Sequence, residues 1–188
     1  MKYINQKENN EECFSLIINP TLGCNLNCWY CYETHLQNTH MSIEIQQSVC
    51  KLIKNRVGSG KYKSMDLSFF GGEPFLEYES IVLPLIQYAN NICLKNNITL
   101  LISFTSNGIL FTPEVVDRLL FFKREISLQI PFDGGRTHHN LTKKCINSDV
   151  SAYDVVINNI KYALSKGIDI TIRCNYTPKN IDSFKELI

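Results

Sequence analysis

Apolar residues recur along the chain in two alternating rhythms. Phe14 to Asn19 (FSLIIN) is a short apolar run ended by Pro20, which predicts a buried first strand. A cysteine-bearing loop follows. Ser42 then stands as a cap before Ile45, Val49, Leu52 and Ile53, whose helical spacing continues until Gly58 and Gly60 stop it. The unit repeats as a strand over Met65 to Phe70, the loop GGEP, and a helix from about Glu79 to Lys95 with Val82, Leu85, Ile86 and Ala89 inward. Ile98 to Thr105 is the third strand. Its loop SNG leads to a helix capped by Thr112, with Pro113 in the first turn where its missing N–H costs nothing. Glu125 to Ile130 is the fourth strand, and PFDGGRTHHN opens a stretch of no clear period. A helix from about Ala152 to Lys166 follows, with Gly167 placed for a left-handed C-terminal cap. Ile168 to Tyr176 is the fifth strand, and Ile181, Phe184, Leu187 and Ile188 begin another helix.

Five strand-helix units in alternation predict a parallel sheet with helices outside it, an α/β fold. In the fifth strand Ile168, Ile170, Ile172 and Cys174 share one face, and Asp169, Thr171, Arg173 and Asn175 the other. Ser127 and Gln129 likewise lie opposite Ile126, Leu128 and Ile130. A flat sheet covered on both faces is apolar on both. Polar inward positions therefore point to a wet cavity at the C-terminal mouth of a curved sheet. Residues 1–12 read as a polar tail and 13–188 as one core, with no second domain.

With 188 residues, 44% apolar and 20% charged, the chain can bury one sizeable core. A formal net charge of +1 gives no electrostatic reason to expect nucleic acid or membrane as partner. No apolar run approaches a membrane span, and MKYINQKENNEE is no secretory signal, so the expected address is cytoplasmic.

Of eight cysteines, three crowd into Cys24-Asn-Leu-Asn-Cys28-Trp-Tyr-Cys31, directly after the first strand and therefore at the same mouth. Three thiolates on one short loop can converge on a metal centre, and two chemistries compete. Zinc takes four protein ligands in a structural site, and His35 supplies a fourth in a Cys3His reading, a non-enzymatic zinc- or peptide-binding module. An iron-sulfur cluster held by three thiolates leaves one iron open for a ligand.

The C-x3-C-x2-C loop, with Tyr30 before its third cysteine, resembles the cluster motif of the radical SAM superfamily. FFGGEPFL after the second strand is similar to that family's GGEP motif, and Ser106-Asn107-Gly108 to its TNG-like segment. The Arg173 and Asn175 pair in IRCNYT resembles the fifth strand of the branch that modifies peptides and proteins. LQIPFDGGRTHHN is like a stretch of the SPASM branch, especially its peptide maturases, although Pro131 stands where Ser or Thr is usual and Asn140 replaces Asp. The resemblance covers roughly residues 14 to 188.

The resemblance implies a partial (β/α)6 barrel with five units present, ending before the sixth unit and before any C-terminal auxiliary-cluster domain. It implies that Cys24, Cys28 and Cys31 hold a [4Fe-4S] cluster whose fourth iron S-adenosyl-L-methionine (SAM) chelates. An electron from a one-electron reductant then splits SAM to a 5'-deoxyadenosyl radical that abstracts hydrogen. A peptide or protein is the expected substrate, and sulfatase maturation or a small molecule the rival within the superfamily. Tyr30, Gly71, Gly72, Glu73, Pro74, Ser106, Asn107, Gln129 and Arg173 are the implied cofactor-binding residues. Glu73 is expected near the cofactor's ammonium, so that Glu73→Ala weakens cofactor binding more than cluster content. Arg173 suits the cofactor's carboxylate or an acidic residue across the barrel. Gln129 suits the ribose or a buried backbone group. His138 and His139 read as solvated loop residues, Cys50, Cys93 and Cys174 as packing residues, and Trp29 and Tyr32 as a shield or core aromatics. Either the chain is a piece of a longer enzyme, inactive alone, or its open sheet edge is covered by a second chain.

Overall fold

The computed structural model describes residues 12–33, 36, 39–146 and 150–187. The polar tail therefore lies outside the described residues except for Glu12, and so does His35. Strands β1 (Cys13–Ile18), β2 (Ser64–Phe69), β3 (Thr99–Thr105), β4 (Glu125–Phe132) and β5 (Asp169–Cys174) form one sheet in the order β1-β2-β3-β4-β5. Every pair is parallel. Between them run helices α1 (Ile43–Val57), α2 (Leu83–Lys95), α3 (Pro113–Leu120), α4 (Arg136–Thr142) and α5 (Ala152–Ser165).

Spatial order equal to chain order has a geometric consequence. Each right-handed crossover lands on the same side, so the helices cover one face and leave the other to curl inward as in a barrel. The sheet is open, with β1 and β5 at its edges. Its helix-facing side carries Met65, Leu67 and Phe69, then Leu100, Ile102 and Phe104, then Ile126, Leu128 and Ile130. These pack on Leu85, Ile86 and Ala89 of α2, Val116 and Leu119 of α3, and Val156, Ile160 and Ala163 of α5. Each of these apart from the two alanines contributes about 1.5–3 kcal/mol of burial. The inner face is polar: Asp66 and Ser68 of β2 meet Ser103 of β3, with both hydroxyls donating to Asp66 Oδ1 at 3.3 and 3.1 Å.

Caps fix where the helices begin. Ser42, Thr112 and Ser151 each accept an N–H from the first turn of α1, α3 and α5, which satisfies donors that have no partner within the helix. Gly167 ends α5 at φ +81°, where Gly167 N–H donates to Leu164 O and Ile168 N–H to Ala163 O, the Schellman pattern.

Four expectations change. The first strand is an edge strand and only half covered: Ile17 points to the inner face and is 69% exposed. The helix before β3 starts as a 3-10 turn (Pro74–Glu77) and a π-type turn (Tyr78–Val82) before α2 becomes regular. The stretch of no clear period contains α4, seven residues with no apolar stripe to betray it. The segment Ile181–Leu187 is a 3-10 helix. β4 also runs on through Pro131, which is possible because β3 pairs only as far as Gln129, and beyond it no β3 partner needs an N–H.

Candidate functional site

Three loops meet at the C-terminal ends of β1, β2 and β3. The cysteine loop is anchored first by its own turns: Gly23 N–H donates to Thr21 Oγ1 at 2.9 Å, Leu26 N–H to Cys24 Sγ at 3.4 Å, and Cys31 N–H to Cys28 O at 3.1 Å. The glycine pair after β2 then lies directly on it. Gly72 N–H donates to Thr21 O and Glu73 N–H to Gly23 O. A Cβ on Gly72 would stand 2.1 Å from Gly23 O, and one on Gly71, whose φ is +113°, 2.6 Å from Thr21 O. Both positions must be glycine for the loops to touch. From β3, Asn107 Nδ2 donates to Asn25 Oδ1 at 2.7 Å and lies 3.7 Å from Cys24 Sγ.

A fourth contact comes from the chain after α4. Asn27 N–H donates to Lys144 O, Ile146 N–H donates to Asn25 O, and Leu26 and Cys145 form an isolated antiparallel bridge. The loop between Cys24 and Cys28 is thus clamped on both backbone sides.

The result is a cavity of about 110 Å3 lined by Cys24, Cys28 and Cys31 together with Gly71, Gly72, Ser106, Asn107, Lys143 and Arg173. Tyr30 and Arg173 also line a neighbouring cavity of about 580 Å3 that reaches Trp29, Asp133, His138 and Tyr176. The two cavities share a wall, and the larger is of ligand-pocket size. Tyr30, Gly71, Gly72, Ser106, Asn107, Arg173 and the three cysteines are therefore brought together.

Glu73, Pro74 and Gln129 are not. Glu73 is fully buried behind the wall, where it accepts from Phe75 N–H at 3.1 Å, from Asn107 N–H at 2.9 Å and from the Ser106 hydroxyl at 2.9 and 3.0 Å. It staples the GGEP turn to the SNG turn instead of facing the cavity. Burial outweighs these hydrogen bonds and pushes its pKa up to about 7. Pro74 is buried at the start of the 3-10 turn. Gln129 acts through its backbone: its carbonyl accepts Ser106 N–H at 3.1 Å.

Burial raises the Cys24 thiol to about 11, against the Leu26 hydrogen bond that lowers it. Burial also raises Cys28, while the Lys143 charge lowers it. Such thiols hold their protons at neutral pH until a metal displaces them. Among the described residues no three His, Cys, Asp or Glu side chains close on a single-ion site. Cys24, Cys28 and Cys31 line one cavity, and three thiols around a shared space fit the ligand set of an iron-sulfur cluster.

Sequence reasoning did not find the buried group beside this cavity. Asp133, at the end of β4, accepts from the Tyr30 hydroxyl at 3.0 Å and pairs with Lys143 at 3.4 Å, and both charged side chains are 3% exposed. Lys143 Nζ also donates to the Tyr30 oxygen at 3.3 Å, and Asn175 Nδ2 donates to it at 3.1 Å. Arg173 has no hydrogen bond or ion pair among the described residues, so the acidic partner considered for it is not seen across the barrel. His139 is fully buried, packed on the rings of Phe132 and Tyr153, and burial followed by the Lys143 charge takes its pKa down to about 3. Trp29 and Tyr32 are 76% and 77% exposed and belong to no core. Cys93 is buried as expected, whereas Cys174 is exposed.

A one-sided β/α sheet whose C-terminal mouth gathers three thiols, a double-glycine turn and an arginine unpaired among the described residues defines a class, the open half-barrel with its candidate site on the loops after the first three strands. The sequence profile of the Radical SAM superfamily matches residues 18–188, and the chain belongs to that superfamily. Its members use a [4Fe-4S] cluster and SAM. The chain is 25% identical over 175 residues to the radical SAM cyclopropyl synthase TigE of Paramaledivibacter caminithermalis, covering 85% of this chain and 36% of that protein. It is 35% identical over 102 residues to a probable GTP 3',8-cyclase of Methanococcus aeolicus, covering 54% of this chain and 31% of that one. Among solved structures it is similar to anSMEcpe with bound AdoMet, at TM-score 0.74 and 23% identity over 93% of this chain and 49% of that chain. The structure of anSMEcpe with bound AdoMet and Cp18Cys peptide gives TM-score 0.68 and 23% identity over 86% and 42%. At that identity the likeness shows the fold alone. The chain spans about a third of the length of these two curated relatives. No helix among the described residues is long and apolar enough to cross a membrane.

Proposed function

We propose that this chain is the catalytic core of a radical SAM enzyme that modifies a ribosomally made peptide or a protein side chain, with Cys24, Cys28 and Cys31 as the cluster ligands. The observation that carries the reading is the cavity they share with Gly71, Gly72, Ser106, Asn107 and Arg173, which adjoins a second cavity large enough for a substrate. When bound, the cluster and SAM supply one-electron cleavage of a carbon–sulfur bond and so open hydrogen abstraction at unactivated positions.

The chain's own part is to bind, orient and exclude. Gly71 and Gly72 bring a backbone edge to the cavity wall where a side chain would stand. Arg173, unpaired among the described residues, offers a planar fork to a carboxylate. Tyr30, Leu26, Phe70 and Pro131 add wall that closes the reacting atoms off from stray hydrogen-atom donors such as free thiols. Trp29, Tyr176 and His138 line the outer cavity and give a peptide both aromatic surface and polar contacts.

The test is anaerobic incubation of the iron- and sulfide-reconstituted chain with SAM, dithionite and peptides encoded beside its gene. The reading expects 5'-deoxyadenosine, a mass change in one peptide, and loss of both with Cys28→Ala. Cleavage that survives Cys28→Ala contradicts the ligand assignment, and modification of a small molecule alone contradicts the substrate class.

A further inference from the structure

Asp133 and Lys143 form a buried ion pair that the proposed reaction does not yet use. Such a pair is a poor stabilising device, because taking two charges out of water costs about as much as their attraction returns. Its position gives it another reason to be there. Lys143 lines the thiol cavity, whereas Asp133 lines the outer one. The backbone that carries Lys143 is fixed to the cysteine loop through Lys144 O, Cys145 and Ile146 N–H. The clamp ties the backbone beneath Lys143 to the cysteine loop, and Asp133 at 3.4 Å and the Tyr30 oxygen at 3.3 Å hold the ammonium itself. At Cys28 the Lys143 charge acts more strongly than the opposing Asp133 charge. Tyr30, one residue before Cys31, holds both members of the pair through its hydroxyl, and Asn175 of the β5 end holds Tyr30.

We propose that Lys143 is a positioning residue that sets the reduction potential of the thiolate-bound cluster, with Asp133 and Tyr30 fixing its ammonium beside Cys28. The inference rests on the reading above. In the step concerned a low-potential one-electron donor loses one electron and the cluster gains it. No bond is made or broken, no proton moves, and the thiolate-cluster assembly becomes more negative by one charge. A buried cation lining the same cavity as that charge stabilises the reduced form, and low local dielectric strengthens the effect. The anion on the far side of the cation partly offsets it.

The experiment is a redox titration of the reconstituted full chain, followed by electron paramagnetic resonance, with iron and sulfide content measured on every sample. Lys143→Met is expected to lower the reduced-to-oxidised ratio at a fixed potential about tenfold, which is 59 mV for a one-electron couple. Lys143→Arg keeps the potential. Asp133→Asn moves it the other way, because an opposing charge has gone. The double variant K143M/D133N leaves no lone buried charge and still shifts negative, since the cation is the stronger influence. A wild-type potential in K143M and in the double variant, at full cluster content, overturns the proposal. Equal loss of cluster in both, with the remaining cluster at the wild-type potential, makes Lys143 a folding residue and also overturns it. A wild-type chain that assembles no iron-sulfur cluster overturns the functional reading itself, and this inference with it.

Discussion

Glu73→Ala separates two roles that the motif alone does not distinguish. In the structure the carboxylate is the acceptor for Phe75 N–H, in the 3-10 turn behind the cavity wall, and for Asn107 N–H, in the loop that lines the cavity. Removing it leaves two buried backbone donors unmet at about 1–3 kcal/mol each, a loss of about 2–6 kcal/mol. The Ser106 O–H loses its acceptor as well, and Gly108 N–H, which donates to the same oxygen at 3.0 Å, does not replace it. Part of the loss is offset above neutrality, where the ionised carboxylate itself is costly to bury. The sign follows from the raised pKa. Between the ordinary value of 4.5 and about 7 the folded chain holds a proton that the unfolded chain has lost. Wild-type stability from this group is therefore full below pH 4.5 and falls as pH rises to 7, by up to about 3 kcal/mol. Alanine lacks that dependence, so the wild-type advantage should be larger at pH 5 than at pH 8. Urea unfolding of the reduced, metal-free chain at the two pH values measures it. Cluster content and SAM affinity should fall together in the variant. If stability changes by less than about 0.5 kcal/mol while SAM affinity alone drops, Glu73 contacts the cofactor and the stapling role is wrong.

Gly72→Ala places a methyl group against a backbone oxygen that cannot move aside, and should cost more than about 3 kcal/mol and most of the cluster content, measured by thermal unfolding and iron assay. Asn107→Ala breaks the 2.7 Å link to Asn25 and should lower stability by about 1 kcal/mol, with weaker cluster retention during chelator challenge. Arg173→Lys keeps the charge but loses the planar fork, so SAM affinity measured by calorimetry should weaken while iron content and unfolding midpoint stay at wild type. His139 is a buried ring whose two nitrogens have no partner among the described residues, so His139→Phe should be neutral or stabilising in urea unfolding, and a loss of more than about 1 kcal/mol would show that the nitrogens are hydrogen-bonded.

Much of this fold was legible because its signals are local. Apolar runs of strand length, the Ser42 and Thr112 caps and Gly167 in its left-handed position each act within a few residues, and the five strands appear within a residue or two of expectation. The polar alternation in β4 and β5 correctly pointed to an inner face without helices. What escaped depends on contacts distant in sequence. α4 has too few residues to show a period, and its His139 is buried only because Phe132 and Tyr153 close over it. Tyr30, Asp133, Lys143 and Asn175 are united by the ends of β4 and β5, the cysteine loop and the segment after α4, and no short motif joins them. The GGEP motif located its loop correctly, but a sequence pattern does not say which way a side chain turns, and Glu73 turns inward.

The central claim is that Cys24, Cys28 and Cys31 leave one iron free for SAM. It is tested most directly by the electron paramagnetic resonance spectrum of the reduced, reconstituted chain before and after SAM is added. The account predicts a reduced [4Fe-4S] signal whose shape changes on SAM addition and which disappears when any one of the three cysteines becomes alanine. A chain that takes up only zinc, or a cluster signal that SAM leaves unaltered, contradicts it.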